Sequence, residues 1–193
     1  MPTEFASFAF IITLAAVVNG LGIVRWITGL SEFIVHRNRI VVQYNWLYLA
    51  AAVFQFLLHV LLWWSLWRVR DAGALNFISY LYLLTGPILL FLGTALLAPA
   101  TSESEIDLRA HYFHTRVSYA TVSVLVWIWA LLLAPVTRGE FAETAWAFAT
   151  FAVLALIRRQ TDNLAVHGVT TALNWILVVL FIVLYAMQLG GPS

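Results

Sequence analysis

Cysteine and lysine are both absent from this chain. Without cysteine there are no disulfides, no thiolate metal ligands and no cysteine nucleophile, and the redox compartment is left undetermined. Without lysine there is no Schiff-base chemistry, which excludes a retinal chromophore held in that way and removes lysine nucleophiles. Charge of either sign is scarce: 10% of the 193 residues are charged, where a soluble domain carries about 25%. The formal net charge of +1 offers no concentrated basic surface for nucleic acid.

What fills the chain is apolar surface, 63% of its residues, with a mean hydropathy of +0.91. Six segments are long enough to cross about 30 Å of hydrocarbon, near 5–29, 44–67, 75–98, 117–136, 141–157 and 164–188. The fifth is the shortest, at the lower limit of spanning length. The expected fold is all-α: a polytopic integral membrane protein, one domain over 1–193, with six transmembrane helices in one bundle. The N-terminal MPTEFASFAF has no basic stretch before its apolar run and reads as the start of the first span. Pro99 and Pro135 are expected at helix ends. Pro87, inside LLTGPILLFLG, is expected to kink the third span, with Thr85 or a neighbouring helix satisfying the freed carbonyl.

All ten basic residues are arginine, and their distribution sets the expected orientation. Arg25, Arg37, Arg39, Arg109, Arg116, Arg158 and Arg159 lie at or near connections one, three and five. Arg68, Arg70 and Arg138 lie on the other side. That asymmetry places the odd-numbered connections in the cytoplasm and both termini outside it.

Two constellations carry chemistry on this reading. TSESEIDLRAHYFHTR is the most polar stretch, expected as a short amphipathic cytoplasmic helix over about 102–116, started by a capping box from Ser102 to Glu105. On such a helix Asp107, His111 and His114 share one face at i, i+4, i+7. A carboxylate with two imidazoles is a ligand set for zinc or iron, which His36 or His167 would complete. The competing reading is a solvated connector whose polar face has no further task.

The second constellation lies within the spans. Gln55 and His59 are four residues apart in span two, with Asn45 and Tyr48 on the same side. His167 and Asn174 lie along span six, and Asn19 and Arg25 along span one. Polar groups in hydrocarbon need partners or water, so these stripes should face the interior. There they would line a polar path or pocket between spans one, two and six, or else bond the helices together. His59 and His167 stand about 15 and 3 residues up their helices, a height difference of roughly 18 Å at 1.5 Å per residue. That separation argues against the pair as axial ligands of one haem.

NGLGIVRWITGL followed by HRNR, the WW-containing end of span two, and EIDLRAHYF resemble uncharacterised bacterial six-span inner-membrane proteins. The resemblance implies a bacterial cytoplasmic membrane location and no activity. The functional expectation is therefore a small channel, transporter or ligand-binding membrane protein, surrounded by lipid and assembling as a homo-oligomer. Two alternatives stand beside it: a membrane metalloenzyme or redox protein using Asp107, His111 and His114, and a sensor or assembly subunit of a membrane complex.

Overall fold

Long runs of side chains that cannot hydrogen-bond leave the backbone to satisfy itself, and a helix does this within one segment. The computed structural model describes residues 2–36, 41–69, 77–99 and 105–187. Six helices dominate: α1 (Pro2–His36), α2 (Trp46–Val69), α3 (Phe77–Leu97), α4 (Leu108–Arg138), α5 (Ala145–Gln160) and α6 (Leu164–Phe181), the last continued by a π-helical turn, Ile182–Ala186. Five of them are long and apolar enough to cross a membrane. At 16 residues, α5 spans about 24 Å at 1.5 Å per residue, short of the roughly 30 Å of a hydrocarbon layer.

Two short strands, β1 (Val41–Gln43) and β2 (Glu105–Asp107), pair in parallel with Val41 opposite Glu105 and Gln43 opposite Asp107. This pairing ties the first connection to the third. An ion pair between Arg116 and Asp162 brings the fifth to the same end. The helices that begin at this end are each capped by a short polar side chain, which accepts from backbone donors left free in a first turn. Asn45 accepts from the Leu47 and Tyr48 amides at 2.9 and 3.2 Å. Asp107 accepts from the Arg109 and Ala110 amides, and Asn163 from those of Ala165 and Val166.

The prolines divide differently from expectation. Pro135 does not end a helix; it lies within the last turns of α4. The stop is Gly139, whose φ of +80° suits a residue without a Cβ and turns its N–H onto the Pro135 carbonyl at 3.0 Å. α3 runs through Pro87 as one helix. In the turn before that proline the Tyr82 carbonyl accepts from Trp129 Nε1 on α4, at 2.8 Å, while the Tyr82 hydroxyl donates to the Trp129 carbonyl. The neighbouring helix thus supports this turn, and the Thr85 hydroxyl bonds Leu81 instead. Gly86 lets the indole lie flush, since a Cβ there would sit 2.4 Å from the ring.

α2 is the hub. Trp26 of α1 donates to the Ala52 carbonyl and packs on Phe56. Tyr48 donates to the Leu97 carbonyl of α3. Phe54 meets Trp127, Phe151 and Trp175 of α4, α5 and α6, and Trp127 stacks on Phe151 with centroids 4.2 Å apart. The outside is apolar: Val17, Leu21, Val24 and Ile27 of α1 are all exposed, while Ala15, Asn19 and Gly22 face inward. This inverts a water-soluble helix and is the arrangement a lipid solvent selects.

Candidate functional site

Gln55 and His59 both lie on the buried side of α2, with exposures of 3% and 0%. An imidazole in this position needs both ring nitrogens satisfied. Nδ1 stands 2.7 Å from Asn19 Oδ1 and Nε2 stands 2.8 Å from Thr94 Oγ1. The amide orientation of Asn19 is fixed by its nitrogen, which donates to the His59 carbonyl at 3.2 Å. Its oxygen therefore accepts, so Nδ1 carries the proton and a neutral ring accepts at Nε2 from the Thr94 hydroxyl. The Thr94 hydroxyl also lies 3.2 Å from the Leu90 carbonyl, which accepts from Gln55 Nε2 at 2.9 Å, but its single proton goes to the nearer acceptor, His59 Nε2. Gln55 Oε1 in turn accepts from the Tyr119 hydroxyl at 3.2 Å. One closed network thus joins α1, α2, α3 and α4.

Two glycines create the room. A Cβ on Gly22 would stand 2.2 Å from the His59 ring, and one on Gly93 would stand 2.9 Å from the Gln55 amide. Gly20, by contrast, faces open space. Close helix approach at small residues, with polar side chains bonded across the gap, is how helices associate when the surroundings are as apolar as their own surfaces.

His167 belongs to a second cluster. Its Nδ1 meets the Tyr112 hydroxyl at 2.9 Å and its Nε2 meets the Thr161 carbonyl, also at 2.9 Å. A carbonyl can only accept, so Nε2 carries the proton and Nδ1 accepts from Tyr112 in the neutral ring. Tyr112 and Phe113 pack edge-on against the same imidazole. His59 and His167 therefore have separate sets of partners. Asn174 joins neither set: it is buried and its Oδ1 has no hydrogen-bond partner among the described residues. Of the residues expected to form one polar lining, Asn19, Gln55 and His59 come together, whereas His167 and Asn174 stand apart from them. Asn45, expected on that same side, caps α2.

The expected metal face is not assembled. Asp107 lies on β2, one residue before the start of α4, so helical spacing does not extend to it. Its carboxylate is engaged in capping. Leu108 to Arg116 are not a separate connector helix but the first turns of α4. His111 is half-buried with its ring edge toward Tyr48, and His114 is exposed. No group of three His, Cys, Asp or Glu residues among those described is placed to hold a metal. Ser102 and the side chains of His36 and Glu105 lie outside the described residues.

Arg25 is placed differently from every other residue of this set. It lines a cavity of about 520 Å³ at the strand-bearing end, between α1 and α2. Thr94 and Leu97 of α3 line it with Ala98 and Pro99 just beyond that helix, Val42 of β1, Tyr44, and Leu108 of α4. Leu30, Ile34, Leu49 and Val53 also line it and are exposed, so the cavity is a groove open to the outer surface. Thr94 is shared: it lines the groove and bonds His59. Sequence reasoning missed Thr94, Tyr112 and Tyr119. The signal for the tyrosines was present, because Tyr112, Arg116, Tyr119 and Ser123 recur at helical spacing on α4 and line one small pocket with Arg158. A second apolar cavity, of about 200 Å³, lies among α2, α4, α5 and α6 and is lined by Leu58, Trp127, Phe148 and Phe181 among others.

No family model, no curated protein and no solved structure matches this chain.

Proposed function

We propose that this chain is a multi-pass protein of the bacterial cytoplasmic membrane, of the same kind as the six-span proteins it resembles, and that it binds a small amphiphilic ligand in the groove between α1 and α2. The observation that carries this reading is the groove itself: about 520 Å³, apolar-walled, open to the side, with one half-buried arginine within it. That volume is in the range of small-molecule sites, about 300–1,000 Å³. A conduit for ions or polar solutes is the weaker reading, because Asn19, Gln55 and His59 have their hydrogen-bonding groups engaged with one another and with Thr94, Leu90 and Tyr119. Engaged groups have little left with which to replace a solute's hydration.

The test is to fill the groove without disturbing the bundle. Gly29 lines it, and a Cβ at that position meets nothing within 4 Å. Native mass spectrometry of protein purified in mild detergent should show a bound amphiphile in the wild type and a reduced load in Gly29→Trp. Equal loads in the two proteins would refute the reading.

A further inference from the structure

We infer that the ligand of this groove is an anionic amphiphile, whose carboxylate or phosphate head is held by Arg25 while its apolar body lies between α1 and α2. The inference rests on the groove-binding reading and adds the chemistry of the ligand. Arg25 stands seven residues inside the end of the apolar stretch Ile12–Glu32, about 10 Å along the axis at 1.5 Å per residue. A guanidinium at that depth is costly unless it reaches water or finds an anion. No ion pair or hydrogen bond to another described residue holds it, and the described residues that line the groove include no acidic one.

Apart from the exposed Tyr44, the other polar side chains on the walls are already engaged. Tyr48 donates to the Leu97 carbonyl, which also covers the negative end of α3, and the Trp26 indole donates to Ala52. Thr94 is held by His59 and Leu90. Arg25 is therefore the one charged donor that the groove presents among the described residues. Its planar fork of N–H groups matches the two oxygens of a carboxylate or phosphate. An anion alone would leave the apolar walls wet, and a neutral hydrocarbon would leave the half-buried guanidinium without an anion. A molecule with both parts satisfies both.

Oleate, oleyl alcohol and phosphatidylglycerol distinguish the alternatives, each titrated into purified protein in a non-ionic detergent and followed by native mass spectrometry. Oleate, phosphatidylglycerol or both should bind the wild type at least about tenfold tighter than the alcohol, the worth of one charge-assisted contact. Oleate ahead assigns a free carboxylate, and phosphatidylglycerol ahead assigns a lipid phosphate. Arg25→Gln should abolish the preference, Arg25→Lys should keep part of it, and both should melt close to wild type. Acid and alcohol binding equally, with Gly29→Trp weakening both, would overturn the anionic assignment and leave the groove reading standing. Absence of binding by all three probes would overturn both.

Discussion

The two polar regions of this bundle touch at Thr94, yet they are built on opposite principles. Around His59 every donor has an acceptor: Asn19, Thr94, Gln55, Tyr119 and the Leu90 carbonyl close on one another and water is excluded. Around Arg25 the walls are just as apolar, but the charge has no partner among the described residues and the space is open. A polar side chain inside an apolar segment therefore carries no single message. Satisfied within the protein, it joins helices; left unsatisfied beside a cavity, it specifies what the cavity holds.

The largest effect should come from overfilling the closed region. Gly22→Val drives new atoms into an imidazole that is held at both nitrogens and has no space to yield. The expected cost is about 3 kcal/mol or failure to fold. Gly20→Ala, two residues away on the same helix but facing open space, should be neutral or stabilising by up to about 1 kcal/mol. Chemical denaturation in detergent reads both, and similar losses for the two would show that the His59 network is not the close-packed point inferred.

Next in size is removal of the imidazole. His59→Leu leaves the Asn19 oxygen buried without its partner and the Thr94 hydroxyl with the Leu90 carbonyl alone, for a loss of about 2 kcal/mol. Asn174→Leu is the contrasting case. Its buried oxygen already lacks a partner, so an apolar replacement should stay within about 1 kcal/mol of wild type. If Asn174→Leu proved the more damaging of the two, Asn174 would have a task that the His59 network does not.

These contrasts show where sequence reading succeeds and where it stops. Apolar runs located the helices, because a segment without polar side chains has one good way to satisfy its backbone. The i, i+4 spacing of Gln55 and His59 put them correctly on one side of α2. Their partners were not legible: Asn19 lies 40 residues from His59, and Tyr119 lies 64 from Gln55. Helices that are apolar all round carry no periodicity that says which face meets which neighbour. Asp107 was misplaced for a local reason. A capping residue and a first-turn residue look alike in sequence, and one position decides whether a carboxylate shares a helix face or closes the helix start. Gly22 and Gly93 carry no side chain to signal a contact in sequence, whereas in the fold they are the space that a ring and an amide occupy.

The smallest expected effect tests whether Arg25 acts by position or merely by sign. Arg116 and Arg158 lie at the same end of the bundle, and Arg116 is neutralised by an exposed carboxylate, Asp162. Asp162→Asn frees that second cation without touching the groove. Because the carboxylate is largely in water, the stability change should be below about 1 kcal/mol and should shrink with added salt. The binding readout is more telling. If a general positive field at this end selects the anion, freeing Arg116 should raise oleate affinity. If selection is a contact made at Arg25, affinity in Asp162→Asn should match wild type, and only Arg25→Gln should lower it. A rise in Asp162→Asn would move the selectivity from the groove to the surface, and with it the distinction between an engaged charge and a waiting one.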